Sequence, residues 1–273
     1  MRSRRPVNFV IGAVLVGLVV VTALVSLVWT PHDYEMIDVA RRFRPPGAEF
    51  WLGTDQFGRD VVSQLMAGAR SSVAIALVAV LLGGAVGSLM GVVAASAGGM
   101  VEDIVMRITD FSLAFPALLF AIMLGALFGP SFMNAVIAIA FISVPVFARV
   151  VRGAALQVHS QDYVLAARAA SRTPAQILLD HVIPNVLPAI TVLATIEFAI
   201  AILVEAALSY LGLGVQPPTP SWGRMLAQAQ TLLYLAPQLA IYPGLCIMIA
   251  VLGFNMLGDG LRDIADPRLT EGR

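Results

Sequence analysis

The sequence predicts an all-α, polytopic membrane protein with six transmembrane helices. Of its residues, 59% are hydrophobic and only 12% are charged, whereas a soluble domain typically carries about 25% charged residues. The mean hydropathy is +0.86. Six apolar runs with few or no charges approach the length of about 20 residues that a helix needs to cross a bilayer. Lipid is therefore expected to be the main solvent of the chain.

The first apolar run is interpreted as a retained span and not as a secretory signal. It follows a basic cluster, is longer than a typical signal core, and has no small-residue cleavage site after Trp29. The six predicted spans cover approximately residues 9–29, 72–96, 111–128, 132–148, 186–208 and 235–257.

The second predicted span carries a face of small residues. Gly83, Gly87 and Gly91 are spaced four apart, so they lie on one side of a helix and let another helix approach closely. Ordinary helix packing is the favoured interpretation of this face. Before this span, residues 60–70 have a helical apolar period and are expected to lie along the membrane surface.

The arginines predict the orientation of the chain. With the N-terminus in the cytoplasm, the predicted spans place eleven of the seventeen basic residues on the inner side. An even number of spans then puts both termini in the cytoplasm, and residues 153–185 face the cytoplasm as well. The inner arginines are Arg2, Arg4, Arg5, Arg107, Arg149, Arg152, Arg168, Arg172, Arg262, Arg268 and Arg273.

Composition excludes several classes of function. All seventeen basic residues are arginine, so the chain has neither the lysine of a nucleotide-binding P-loop nor one for Schiff-base chemistry. Cys246 is the single cysteine, and three widely separated histidines show no metal-ligand spacing. The net charge is zero and no long basic run is present. We therefore expect no catalytic residues, no metal and no nucleic-acid partner.

The longest polar interruption after the first span, residues 153–185, contains two predicted short helices. Residues 162–170 are rich in alanine and favour a helix. Residues 171–174 end it, because the residue before Pro174 is biased away from helix. A second helix, 175–181, leads into the fifth span. The alanines at 166, 167 and 170 would give this segment a smooth face, and the residues alone favour a docking knob and a simple connecting loop about equally.

The same segment resembles the coupling segment of permease subunits in binding-protein-dependent ABC importers. That family motif is Glu-Ala-Ala, three residues, Gly, nine residues, then a hydrophobic position two before a Leu-Pro pair. This chain has Leu165-Ala166-Ala167, three residues, Ser171, nine residues, His181, then Ile183-Pro184. Leu165 replaces the glutamate of the motif, and Ser171 replaces its glycine. Both departures lie on the predicted knob.

Further strings make the resemblance narrower. They are similar to the dipeptide, oligopeptide and nickel branch of the family, and within it to the shorter, second permease of each pair, the C-type subunit. The matching strings lie at residues 52–60, 106–110, 115–116, 148–152, 181–185, 205–214, 220–223, 242–244, 254–263 and 266–267.

The resemblance implies a type I ABC importer (MetI-like) permease fold in a prokaryotic inner membrane. It divides the chain into residues 1–70, with the first helix and an extracytoplasmic segment, a permease domain at 71–260, and a cytoplasmic tail at 261–273. It implies several partners besides the lipid bilayer, and it places ATP and Mg²⁺ in subunits other than this one. The protein partners are a homologous second permease, two ATP-binding subunits and an extracytoplasmic substrate-binding protein.

By resemblance, the knob couples ATP hydrolysis in the partner subunits to the spans, and this chain needs no cofactor of its own. The residues expected to carry this coupling are Asp162, Tyr163, Ala166, Ala167, Ala170, Ser171, Arg172 and Pro184.

Three acidic residues in or near the spans are candidates for the pore or its vestibule, because a charge inside a membrane is costly. Glu205 is expected either to line the outer vestibule or to pair with an arginine. Glu197 is expected to face the pore or to pair with the partner permease. Asp110 stands three residues after Arg107 and is expected to pair with it along the helix.

The expected substrate is a dipeptide or oligopeptide. Nickel chelates and glutathione-like molecules are alternatives within the same branch. From other classes, a stand-alone secondary transporter would usually show internal repeats, and a membrane enzyme would need a catalytic cluster. We see neither in the sequence, and co-purification with an ATPase would distinguish the importer from both.

Overall fold

The computed structural model describes residues 7–265, which form ten α-helices joined by turns and short irregular segments. The helices are α1 (Val7–Val25), α2 (Val61–Ala97), α3 (Gly99–Ala114), α4 (Ala117–Phe128), α5 (Phe132–His159), α6 (Asp162–Ala169), α7 (Pro174–Ile177), α8 (Ile183–Tyr210), α9 (Trp222–Ala229) and α10 (Gln238–Ala265). The predicted all-α class is confirmed. The predicted tail at 261–273 lies partly outside the described residues.

Five helices are long and apolar enough to cross a bilayer: α1, α2, α5, α8 with the turns before it, and α10. They correspond to five of the six predicted spans. The predicted third span is not one straight helix, because α3 and α4 meet at an angle of 82°. The break falls at Phe115, which is extended (φ −81°, ψ 123°) and precedes Pro116. A residue before proline avoids the helical region, so the chain bends there.

The prediction of a separate surface helix at 60–70 is wrong. Asp60 caps a helix that continues without interruption for 37 residues, to Ala97. At about 1.5 Å per residue, α2 is about 55 Å long, which exceeds the roughly 30 Å hydrocarbon core of a bilayer. The apolar face of residues 61–70 packs on protein: a side chain at Gly68 would lie 3.1 Å from the ring of Trp222.

The glycine face of α2 packs against α5, as predicted. A side chain added at Gly83 would lie 2.9 Å from the carbonyl oxygen of Ala140, and one at Gly87 would lie 2.7 Å from Cβ of Phe147. At Gly91 it would lie 2.9 Å from the backbone nitrogen of Arg152. These approaches are closer than any side chain permits, so the glycines allow the two backbones to pack directly.

The bundle has two distinct ends. α1 and α10 run antiparallel, since a side chain at Gly12 would overlap the backbone of Leu257, and one at Gly260 would lie 2.6 Å from Cβ of Phe9. The start of α1 and the end of α10 therefore lie at one end, together with α6 and α7. We call it the α6 end. The opposite end carries residues 26–60, the start of α2, the end of α8 and α9, and we call it the α9 end.

Candidate functional site

The turn between α6 and α7 is built around a left-handed residue. Ser171 has φ +59°, its N–H donates to the carbonyl of Arg168 at 3.0 Å, and the N–H of Arg172 donates to that of Ala167 at 3.1 Å. This hydrogen-bond pattern is a Schellman motif, whose left-handed position is usually glycine. The departure from the family glycine thus falls where a side chain is conformationally unfavourable.

We define the knob as residues 162–182. Its second half begins with a reciprocal cap. The Thr173 side chain accepts from the N–H of Gln176, and the Gln176 side chain accepts from the N–H of Thr173. After α7 the chain forms a π-helical segment, Leu178–Val182. Arg172 and Asp180 join the two halves through an ion pair of 2.8 Å. The predicted pair of short helices is confirmed, and the second starts at Pro174.

The inner side of the knob is fastened to the bundle. Val164, Ile177 and Val182 are buried in an apolar cluster with Val151 and Ala155 of α5. Ala167 packs against the same cluster from its edge. Of the three alanines expected to form a smooth outer face, Ala167 therefore faces inward.

The outer side of the knob exposes large apolar side chains among charged and polar ones. Leu165 and Leu179 are 51% and 62% exposed, and Tyr163 is 44% exposed. Ala166 and Ala170 are exposed beside them. Large apolar side chains are well exposed here at the end of the bundle, which is typical of a surface that another protein covers. Asp162 starts α6, and Pro184 lies exposed in the first turn of α8.

Asp110 does not pair with Arg107 as expected. Its carboxylate lies 2.7 Å from the guanidinium of Arg149 on α5, and both side chains are more than half exposed. A second, less exposed pair joins Glu102 of α3 to Arg152 of α5. Both bonds cross between helices, so they fix α3 against α5. Sequence spacing identified the nearest arginine along one helix but not the one supplied by a neighbour.

Glu197 is enclosed within the chain. The residue is 4% exposed, and the hydroxyl of Ser143 on α5 donates to its Oε2 at 2.9 Å. The expectation that it faces the pore or reaches the partner permease does not fit this position. Ser143 is a small residue within an apolar span, and nothing in its spacing marks it as the partner of a residue 54 positions later.

Glu205 is also enclosed, and its surroundings differ from both expectations. The residue is 0% exposed, and the hydroxyl of Ser209 donates to Oε1 at 2.6 Å. The hydroxyls of Ser72 and Ser221 face the same carboxyl group, while Oε2 has no hydrogen bond of good geometry. Glu205 thus neither lines a vestibule nor pairs with an arginine. It sits in a cage of hydroxyls from α2, α8 and the cap of α9.

A cleft opens at the α6 end between α5, α8 and α10. It has a volume of about 970 Å³. Four polar side chains line it among apolar ones: Gln157, Gln161, Asn185 and Arg262. Sequence reasoning missed this set, because its members come from distant segments and share no periodicity.

The string at residues 52–60 forms a compact, hydrogen-bonded loop at the α9 end. Oδ1 of Asp55 accepts from the N–H groups of Phe57 and Arg59, and Oδ2 accepts from Gln64 and from the guanidinium of Arg59. Gly58, at φ +78°, comes so close to the backbone of Asp38 that no side chain fits there. The string therefore orders the segment that precedes α2.

A family model matches residues 87–271: the binding-protein-dependent transport system inner membrane component. Among curated proteins, the chain is 40% identical over 260 residues to the dipeptide transport system permease protein DppC of Alkalihalophilus pseudofirmus, covering 93% of this chain and 86% of that protein. It is also 40% identical over 262 residues to the glutathione transport system permease protein GsiD of Pectobacterium atrosepticum, covering 94% and 87%.

A solved structure supports the fold. The chain is similar to one chain of the MetNI methionine ABC transporter in an inward-facing conformation, with a TM-score of 0.62 and 20% sequence identity. The match covers 74% of this chain and 97% of that one.

Proposed function

Because the chain belongs to the family of binding-protein-dependent transport system inner membrane components, we propose that it forms half of a pore through which an ABC importer takes up small peptides. It is a multi-pass inner-membrane permease subunit without enzymatic activity, since ATP hydrolysis in this family belongs to separate subunits. The finer assignments, of substrate, partners and orientation, are proposals that rest on the residues above.

The observation that carries the transport mechanism is the two-sided build of the knob. Its inner side is fastened to α5 through Val151 and Ala155, while its outer side leaves Tyr163, Leu165 and Leu179 exposed. A partner that grips the outer side moves α5 and α8 through the buried side. An ATP-binding subunit that closes on nucleotide would thereby switch the spans between two arrangements.

We place the α6 end in the cytoplasm and the α9 end outside. The arginine distribution supports this orientation, and the antiparallel pairing of α1 with α10 puts residues 7 and 265 on the same side. The cleft lined by Gln157, Asn185 and Arg262 then opens to the cytoplasm. It has the size and polarity of an exit vestibule for a small peptide.

The substrate class rests on the relatives. The two compared above, similar to this chain over most of its length, are named for dipeptide and for glutathione transport, and both names denote short peptides with free carboxylates. Dipeptides or oligopeptides are the first proposal and glutathione is the second, because one relative is named for dipeptide transport and the other for glutathione transport. A nickel chelate remains the alternative that the same branch implies.

Reconstituted transport tests the proposal. The chain should be expressed with the second permease, the ATP-binding subunits and the binding protein of its importer, and the complex should be placed in proteoliposomes. We expect uptake of a labelled dipeptide that requires both ATP and the binding protein, and competition by glutathione would reveal the second substrate. Uptake without ATP would instead indicate a stand-alone secondary transporter and overturn the assignment.

Cysteine labelling tests the orientation separately. Leu165→Cys, in a Cys246→Ala background, places a single thiol on the exposed face of the knob. A membrane-impermeant maleimide should modify it in inverted vesicles and not in intact cells. Gln216→Cys, on the exposed loop before α9, should show the reverse pattern. Labelling of position 165 from outside the cell would contradict the orientation and the docking assignment together.

A further inference from the structure

A small pocket at the α9 end brings two guanidinium groups together. The first is Arg59, from the loop before α2, and the second is Arg224, from the first turn of α9. They line the pocket with Gln64 and Gln228. Three prolines of the loop before α9 form another part of its wall. Its open volume is about 20 Å³, enough for about one water-sized group. The pocket therefore admits one small polar group and not a whole ligand.

The charge of Arg59 is already balanced. Its guanidinium lies 2.6 Å from Oδ2 of Asp55 and donates to Oε1 of Gln228 at 3.0 Å. Asp55 has no capacity left for a second cation, because its oxygens also accept from Gln64 and two backbone N–H groups. The carboxylate nearest the pocket is thus committed to one arginine.

The charge of Arg224 is not balanced. Within residues 7–265, the hydrogen-bond partner of its guanidinium is the neutral carbonyl of Val215, at 3.3 Å, and no carboxylate forms an ion pair with it. The side chain is half-buried, and burial together with the neighbouring charge of Arg59 lowers the pKa of Arg224. The site therefore holds one uncompensated positive charge that is partly shielded from solvent, which favours an anion.

Arg224 is held in place by the fold. Ser221 caps α9 and accepts from the N–H of Arg224 at 3.3 Å, and Gly223 packs so closely on Ala206 that no side chain fits between them. The hydroxyl of Ser221 also faces the enclosed Glu205. A pre-positioned guanidinium loses little freedom when it binds, and its planar fork matches the two oxygens of a carboxylate.

We propose that this pocket binds a single carboxylate group arriving at the outer side of the importer, with Arg224 as its direct partner. The proposal rests on the proposed function for the side of the membrane that the pocket faces. Two sources present this chemistry there: the free carboxylate of a peptide substrate, and an acidic side chain of the docked binding protein. Both would place their oxygens against Arg224 without displacing the Arg59–Asp55 pair.

The test uses the full complex with Arg224→Gln, Arg224→Lys and Arg42→Gln. Arg42 is an exposed arginine in the segment before α2, at the same end of the bundle, and serves as the control. One arm measures the Kd of substrate-free binding protein for the complex in nanodiscs. The other measures KM for ATP-dependent uptake of the transported dipeptide. If the binding protein supplies the carboxylate, Arg224→Gln weakens docking by roughly tenfold to a hundredfold. If the substrate supplies it, docking is unchanged and KM rises by a similar factor.

Gln228→Glu provides a variant that keeps the fold. The new carboxylate would stand beside Arg59 and Arg224, supplying the missing anion from within, so the complex should melt at a higher temperature. It should also repel the incoming carboxylate and reproduce the loss seen with Arg224→Gln. Arg224→Lys should retain part of the wild-type value, and Arg42→Gln all of it.

The proposal is overturned if Arg224→Gln changes neither Kd nor KM by more than about twofold in complexes that assemble normally. It is overturned equally if Gln228→Glu lowers the melting temperature. Failure of the proposed function is recognised differently, because wild-type complex would then take up no peptide. The docking and melting measurements do not depend on the transported substrate, so they judge the pocket in either case.

Discussion

The two ends of the bundle differ in where they place their polar and apolar side chains. At the α9 end, two carboxylates are enclosed by donors from the chain itself: Glu205 sits among hydroxyls from three elements, and both oxygens of Asp55 accept hydrogen bonds. At the α6 end, the Arg172–Asp180 pair is half exposed and Leu165 projects from the surface. The carboxylates of the one end are held by the chain itself, whereas the knob at the other end exposes large apolar side chains.

The difference indicates that the buried network at the α9 end stabilises the chain, whereas the exposed face of the knob is available for contact with another protein. Buried polar networks are costly to break and therefore hold one arrangement. Exposed ion pairs contribute little stability, so the knob depends mainly on the apolar residues that anchor it to α5. Substitutions in the buried network around Glu205 should therefore reduce the stability of the chain, while those on the exposed face of the knob should reduce coupling.

The largest effect is expected at Glu205. Glu205→Ala would leave the hydroxyl of Ser209 without its acceptor and open a cavity at the junction of α2, α8 and α9, so we expect a loss of about 3 kcal/mol in the free energy of unfolding. Thermal unfolding of the purified permease in detergent measures it. Glu205→Gln keeps the shape and one acceptor, and should cost under about 1 kcal/mol. Equal losses in both variants would mean that the cage needs the acid itself.

The next effect is expected on the outer face of the knob. Ala166→Arg would place a charge on the face where we propose that an ATP-binding subunit docks, so we expect at least tenfold lower ATP-dependent uptake, or about 1.4 kcal/mol, with unchanged insertion. Uptake and stimulated ATPase activity measure it. Ala40→Arg, the same exchange at an exposed position of the opposite end, is the control. Full uptake with Ala166→Arg would remove the docking assignment.

Ala167→Arg, one residue further along, tests the difference between the inner and the outer side of the knob. Ala167 packs at the edge of the buried cluster beneath the knob, so the arginine would disturb the anchor as well as the surface. We expect a lower melting temperature for this variant and an unchanged one for Ala166→Arg. The pair distinguishes a coupling defect from a local unfolding of the knob.

A smaller effect, of opposite sign, is expected at the turn. Ser171 is left-handed, at φ +59°, so Ser171→Gly should stabilise the knob by roughly 0.5–1 kcal/mol. Slower hydrogen exchange of the Arg172 amide, which donates to Ala167, would measure it. Ala169→Gly introduces the same residue at the last position of α6, where it should destabilise by up to about 1 kcal/mol. If both glycines act in the same direction, the left-handed turn does not strain Ser171.

The smallest effect is expected for the exposed pair on α3 and α5. Asp110→Asn should cost under about 0.5 kcal/mol, and the difference should vanish in high salt. Glu102→Gln should cost more, because its pair with Arg152 is less exposed. Chemical unfolding at two salt concentrations measures both. A larger loss at Asp110 would indicate that a partner subunit covers the pair.

Much of the architecture was predictable from the sequence because hydropathy and glycine spacing are local signals. Five spans and the packing face formed by Gly83, Gly87 and Gly91 are confirmed. The knob was predictable for the same reason: alanine favours helix, and Pro174 interrupts it. Its exposed outer face, however, is only partly the predicted one, since Ala167 turns inward.

The errors arose where a tertiary contact decides. The bend in the predicted third span was missed because Phe115 and Pro116 turn the chain within an apolar run that hydropathy reads as continuous. Glu197 and Glu205 were expected to line the pore or vestibule or to find a charged or subunit partner, because an acid in a span suggests function. Serine hydroxyls enclose them instead, and except for Ser209 these come from other elements. Asp110 pairs with Arg149 and not with the expected Arg107. Sequence spacing along one helix does not identify a neighbour on another.

The uninterrupted length of α2 has a mechanical consequence. At about 55 Å, it projects beyond the hydrocarbon core and runs from the Asp60 cap at one end of the bundle to Gly98 at the other. A rod of that length tilted by about 5° displaces its far tip by about 5 Å. Its glycine face lets it lie directly on α5, to which the knob is anchored. A small movement imposed at the α6 end would therefore arrive, amplified, at the α9 end.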